Sequence, residues 1–188
     1  MDAELVVIGT SLGGLSALEV LLGGLDPELR LAIAIVQHRS ADSDETLIEL
    51  LRGYSRLPVD EAEDKLPIER GHVYIAPPSY HLLVDDTYFG LSTDARVCHA
   101  RPSIDVLFES AAVSYRERLI GVVLTGASRD GAEGARQIKA RGGLVVVQDP
   151  ETAEIAVMPA AALAATTPDY VLRLEDIAPF LNRCGKGS

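Results

Sequence analysis

One serine, one histidine and one aspartate in this sequence each stand where an apolar run ends. Ser11 lies within Val6-Val7-Ile8-Gly9-Thr10-Ser11-Leu12-Gly13-Gly14, between a short apolar run and an apolar periodic segment at 15–22. That order reads as strand, tight turn, helix. A hydroxyl in such a turn stands free at a sheet edge. It also faces a helix N-terminus, where unpaired N–H groups and the dipole favour developing negative charge. A serine nucleophile needs both features. His38 follows the run Leu31-Ala32-Ile33-Ala34-Ile35-Val36-Gln37, and Asp130 lies in Thr125-Gly126-Ala127-Ser128-Arg129-Asp130-Gly131, directly after Gly121-Val122-Val123-Leu124. In an open α/β sheet, ligands bind beyond the carboxyl ends of the strands. There, serine can attack a carbonyl carbon, histidine can take its proton, and a carboxylate can orient the imidazole.

Each signal also has a plainer reading. The Gly9–Gly14 turn could cradle a phosphate or dinucleotide, but Ser11 replaces the middle glycine of G-x-G-x-x-G. No acid ends the second strand to hold a ribose; His38 is there instead. A strand-end histidine is often a hydrogen-bonded structural residue. Asp130-Gly131 could be a turn, or a cap for the helix beginning near Ala132. The three residues together, on three separate strand ends, favour the catalytic reading.

The elements that position them alternate along the chain. Strands are expected at 5–8, 31–37, 119–124 and 144–148, with a short one at 170–172. They are rich in Val, Ile and Leu without polar alternation, as buried parallel strands are. Helices are expected at 15–22, 44–54, 104–115, 132–140, 159–164 and 175–181. The alternation predicts a doubly wound α/β fold, a mostly parallel sheet with helices on both faces. The middle differs: 73–76, 81–84 and 88–91 are short strand-like runs, and the last two form a small antiparallel hairpin insertion. The segment Asp60-Glu61-Ala62-Glu63-Asp64 reads as a solvated acidic loop.

The 188 residues fit one domain, expected over 1–182, with a flexible tail at 183–188. No apolar stretch is long enough to span a bilayer, and the acidic N-terminus runs into the first strand without a signal peptide. These features predict a cytoplasmic protein, and nothing suggests an obligate oligomer, so a monomer is expected. The net charge of −11 argues against nonspecific binding to nucleic acid or anionic membrane. Cys98 and Cys184 need not pair and lack metal-site spacing, so both read as structural. His72, His81 and His99 fit no metal motif and read as surface or packing residues.

The ordered motifs Ile8-Gly9-Thr10-Ser11-Leu12-Gly13-Gly14, Val36-Gln37-His38, Gly71-His72-Val73-Tyr74-Ile75-Ala76-Pro77, Arg101-Pro102-Ser103-Ile104-Asp105-Val106-Leu107-Phe108, Leu124-Thr125-Gly126-Ala127-Ser128-Arg129-Asp130-Gly131 and Met158-Pro159 resemble those of CheB-type protein-glutamate methylesterases, over about residues 5–181. That resemblance implies hydrolysis of glutamate γ-methyl esters on methyl-accepting chemotaxis receptors, with glutamine deamidation in some members, and no metal or organic cofactor. It places the family's Ser, His and Asp on Ser11, His38 and Asp130. The family pattern has Thr where Leu12 stands, Met-Pro where Arg39-Ser40 stand, and Met and Gly where Ala127 and Ser128 stand. No triad residue is lost. These differences bear on substrate fit rather than reaction type. Family members usually carry an N-terminal receiver domain, and nothing precedes the first strand here. The chain is thus expected to be an excised catalytic domain or a stand-alone relative.

The backbone N–H groups of Leu12 and Ala127 are the expected oxyanion donors. Arg39, Arg101 and Arg129 are expected to form a basic rim that attracts a glutamate-rich receptor segment toward an otherwise acidic protein. The rival to an enzyme is a non-catalytic binding module on the same fold.

Overall fold

The computed structural model describes residues 3–38 and 46–185. Along them run β1 (Leu5–Thr10), α1 (Gly14–Gly23), β2 (Ala32–Gln37), α2 (Thr46–Tyr54), β3 (Val59–Glu61), β4 (Val73–Ile75), β5 (His81–Asp85), β6 (Tyr88–Ser92), α3 (Ile104–Tyr115), β7 (Leu119–Val123), α4 (Ala132–Ala140), β8 (Leu144–Gln148), α5 (Val157–Ala165), β9 (Tyr170–Leu172) and α6 (Leu174–Cys184). Seven strands form one sheet in the order β3-β4-β2-β1-β7-β8-β9, with every pairing parallel. β5 and β6 pair antiparallel, apart from it. The expected doubly wound α/β fold with a small hairpin insertion is the observed one. Among the described residues no helix is long and apolar enough to cross a membrane.

Two apolar cores explain the unbroken hydrophobic runs of the central strands. Val6 and Ile8 of β1, Ile33 and Ile35 of β2, and Ile120 and Val122 of β7 pack with α1, α2 and α6 on one face. Leu5, Val7, Ala34, Leu119 and Val123 point the other way, onto α3, α4, α5 and the hairpin. Both faces are covered, so neither strand face can be polar.

The strand order reverses at β1. The chain leaves β1 through α1 to β2 on one side, and later returns through α3 to β7 on the other. A crevice therefore opens beyond the carboxyl ends of β1 and β7, the place where open α/β sheets bind ligands.

The strand-like run 73–76 supplies β4, an interior strand of the main sheet, with Ile33 opposite Val73 and Ile35 opposite Ile75. Its interior position follows only from pairing with both β2 and β3. Two expectations are corrected. Asp60 and Glu61 lie not in a solvated loop but on the edge strand β3, where Asp60 accepts from Arg52 Nη2 (2.5 Å) and His72 Nε2 (2.7 Å). The folded chain continues past the expected boundary at 182. α6 continues through Arg183 and Cys184 and Gly185 is buried; 186–188 lie outside the described residues.

Candidate active site

The turn after β1 is held from below and from both sides. Ser11 N donates to Thr125 O (3.0 Å), while Ser11 O accepts from Gly14 N (2.9 Å) and from Gln37 Nε2 (2.9 Å). Gly13 is the N-cap of α1 at φ 78, a left-handed conformation that a side chain resists. At Gly126 a Cβ would fall 2.9 Å from the Ser11 Cβ and 2.7 Å from Met158 Cε, so the two turns meet there only because one is glycine. Beneath them is a buried polar knot. Thr10 Oγ1 donates to Thr125 O (2.8 Å), Thr125 Oγ1 donates to Leu12 O (3.0 Å), and Thr125 N donates to Gln148 Oε1 (2.9 Å). Thr10, Thr125, Gln148 and Gln37 escaped sequence reasoning, because the turns that they tie together are distant in the chain.

His38 and Asp130 meet directly, with His38 Nε2 2.7 Å from Asp130 Oδ2. His38 is partly exposed and Asp130 fully buried. Asp130 does not cap α4, the plainer alternative. Its carboxylate caps α3: Oδ1 accepts from Ser103 Oγ (2.8 Å) and Asp105 N (2.9 Å), and Oδ2 from Ile104 N (2.7 Å) as well as His38. Burial pushes the Asp130 carboxyl up, but the bonds from His38, Asp105 N–H, Ile104 N–H and Ser103 outweigh it. The carboxyl is held below its ordinary range and stays ionised.

Asp105 returns the arrangement. Its Oδ1 accepts from Gly131 N (2.9 Å) and Gly134 N (2.7 Å) at the start of α4, where Gly131, the N-cap, offers no side chain. Each helix is thus capped by an acid from the other's first turn or preceding loop. Burial raises the Asp105 carboxyl to about 6, with the nearby Asp130 charge adding to the rise and the two glycine N–H groups opposing it. The folded protein therefore holds this proton more tightly than the unfolded chain does. The stability it confers is present below the unfolded value of 3.8 and lost as pH rises through about 6. Asp105→Asn keeps an acceptor for both glycines and cannot ionise. Its melting temperature relative to wild type should climb from about pH 4 to about pH 7 in calorimetry. A difference that does not vary with pH would show that Asp105 titrates alike in both states.

Two clefts flank His38. One, of about 310 Å³, is lined by Ser11, Leu12, Gly13, Gly14, Gln37, His38 and Glu154, among others. The other, of about 340 Å³, is lined by His38, Arg96, Cys98, His99, Arg101 and Ser128, among others. Ser11 and His38 share the first cleft, but no Ser11–His38 hydrogen bond is formed among the described residues. Such bonds are often long until substrate is bound. Neither Leu12 N nor Ala127 N has a partner among the described residues, so both remain open as donors. Leu12 is 60 % exposed, an apolar side chain presented beside the nucleophile.

Two of the three expected arginines lie among the described residues. Arg101 lines the second cleft, its Nη1 donating to Thr93 O (2.7 Å) and Asp94 O (3.0 Å). Arg129 is exposed. Arg39 lies outside the described residues. Cys98 is exposed in the cleft rather than structural, and His99 lies beside it. His81 is buried and accepts from Ser103 N (3.2 Å), fixing the start of α3. Cys98 Sγ and one carboxylate oxygen each of Asp105 and Asp130 lie within 4.8 Å of one another. The Asp130 oxygens already accept four hydrogen bonds, so the cluster reads as part of the capping network rather than as a metal centre.

The family model described as CheB methylesterase matches residues 6–181. A Leptospira interrogans protein provisionally named a protein-glutamate methylesterase/protein-glutamine glutaminase is 50% identical over 184 residues, covering 97% of this chain and 95% of the relative. Protein-glutamate methylesterase/protein-glutamine glutaminase 2 of Anaeromyxobacter dehalogenans is 43% identical over 174 residues, covering 93% of this chain and 51% of the relative. The crystal structure of the Thermotoga maritima CheB methylesterase catalytic domain superposes with a TM-score of 0.92 at 33% identity, covering 97% of this chain and 99% of that one.

Proposed function

The chain belongs to the CheB methylesterase family, and on that basis we propose a serine-hydrolase mechanism that demethylates glutamate γ-methyl esters on chemoreceptor proteins and deamidates glutamine at such sites. The observation that carries it is the 2.7 Å His38–Asp130 pair opening onto the cleft that contains Ser11. Ser11 Oγ attacks the γ-carbonyl carbon, and its proton passes to His38. Nε2 is committed to Asp130, so Nδ1 is the ring nitrogen that takes the proton. The imidazole is thus turned end for end relative to the serine-protease arrangement. Asp130, kept ionised by the α3 N–H groups, stabilises the imidazolium. The N–H groups of Leu12 and Ala127 stabilise the tetrahedral oxyanion. Collapse expels methanol, which takes the proton back from His38. Water then cleaves the Ser11 acyl-enzyme by the same route, leaving glutamate. The acyl bond to Ser11 forms as the bond to methoxide breaks, and it breaks in turn as the bond to water forms, with His38 carrying one proton in each half.

The direct experiment is methanol release from a methyl-esterified receptor fragment, followed with a mass decrease of the fragment. A folded protein that releases no methanol and is not acylated at Ser11 would favour the non-catalytic binding module.

The basic rim belongs to the same proposal. Arg101 borders the cleft at His38, and Arg129 is the residue before Asp130. In a protein of net charge −11 such local positive charge attracts an acidic segment, over a range that salt screens to about 8 Å. Replacing Arg39 and Arg129 together by Gln should lower kcat/KM on an acidic receptor fragment, mainly through KM, and by more than on a small neutral ester. Added salt should narrow the gap. Equal losses on both substrates would assign the arginines a structural role instead.

A further inference from the structure

The two clefts on either side of His38 carry opposite charge. On the Ser11 side stands Glu154, from the loop between β8 and α5. A Cβ on Gly13 would lie 2.8 Å from Glu154 Oε2, which places the carboxylate against the N-cap of α1, two residues from the nucleophile. That helix start has no side-chain cap and no acid in its first turn, so it holds a negative group favourably. On the far side stand Arg96, His99 and Arg101. Among the described residues Glu154 makes no ion pair or hydrogen bond, and Arg96 reaches only the His99 carbonyl at 3.5 Å. Both charges are exposed and uncommitted. A peptide segment whose central side chain enters at Ser11 and His38 must therefore cross from a negative lip to a positive one.

Resting on the methylesterase reading above, we infer that this cleft reads the charges flanking the modified glutamate, seating an acidic residue against Arg96 and a basic residue against Glu154. The substrate class is then narrower than any methylated glutamate. Sites with an acid on one side and a base on the other are processed fastest, in one orientation only. A uniformly acidic segment gains at Arg96 but loses at Glu154. This also assigns Glu154 a role that the triad does not need. It touches no reacting atom in the proposed mechanism and acts as a specificity residue.

Exposed charge pairs contribute modestly, so each lip is expected to discriminate by about two- to five-fold, an effect that salt erodes. The test uses the whole chain and four synthetic peptides, each with one central glutamate γ-methyl ester. Two carry Glu or Lys within one helical turn on the N-terminal side, with Ala opposite. The other two carry Glu or Lys on the C-terminal side. Methanol release gives kcat/KM for each, and the Glu:Lys ratio is taken within one protein, so any general loss of activity in a variant cancels. Wild type should favour Glu on one side and Lys on the other. Glu154→Lys should reverse the ratio on the Lys-preferring side alone, and Arg96→Glu on the Glu-preferring side alone. Wild-type ratios near one on both sides, or both variants acting on the same side, would overturn the inference while leaving the methylesterase reading intact. Failure to hydrolyse any of the four peptides would overturn both.

Discussion

Ser11→Ala is expected to lower methanol release by about 10⁴-fold or more while leaving the melting temperature nearly unchanged. The rate loss follows from removing the attacking atom, since what survives is only the contribution of the oxyanion donors and binding. The unchanged stability follows from what Ser11 does in the fold. Its structural bonds are all made by its main chain, to Thr125, Gly14 and Gln37. Its hydroxyl makes none among the described residues. A substitution that leaves those bonds in place should shift stability by no more than about 0.5 kcal/mol. Alanine also keeps the Cβ that packs on Gly126. Methanol release and calorimetry on one preparation decide the matter. Near-normal turnover by the well-folded variant would end the serine-hydrolase mechanism.

Asp130→Asn should lose both rate and stability, for separable reasons. The rate loss, again about 10⁴-fold, comes from an imidazole no longer held in the correct tautomer with its charge stabilised. The stability loss comes from geometry. Each Asp130 oxygen accepts a backbone N–H of α3, Asp105 on Oδ1 and Ile104 on Oδ2. An asparagine amide placed either way points its NH₂ at one of those donors. One buried N–H is left unpaired, at a cost of about 1–3 kcal/mol, which in a chain of this size lowers the melting temperature by roughly 2–12 °C. Ser103→Ala is the control. It removes the N-cap hydroxyl and one bond to Asp130, so it should cost about 1 kcal/mol with little effect on kcat. If Asp130→Asn melts early but turns over like wild type, Asp130 is only a cap, although of α3 rather than α4.

What the sequence by itself determined was whatever is written in neighbouring residues. Unbroken Val, Ile and Leu runs separated by periodic segments specify parallel strands buried under helices, and the sheet has them. A glycine turn between strand and helix marks Ser11. The ends of two further runs mark His38 and Asp130. All three stand at carboxyl ends because in a doubly wound sheet every strand leads outward along the same edge.

Tertiary structure alone decided what depends on packing between distant segments. β4 is three residues long and becomes an interior strand only through its pairing with β2 and β3. β3 carries Asp60 and Glu61, which look like loop until an edge position makes them tolerable. The mutual capping by Asp105 and Asp130 joins residues 25 apart, and no local pattern announces it. Nor does any local pattern bring Glu154 and Arg96 to opposite sides of His38. Backbone propensity and hydrophobic period act over a few residues. Which acid meets which helix end is set by how α3 and α4 pack on the same face of the sheet, a property of the assembled core.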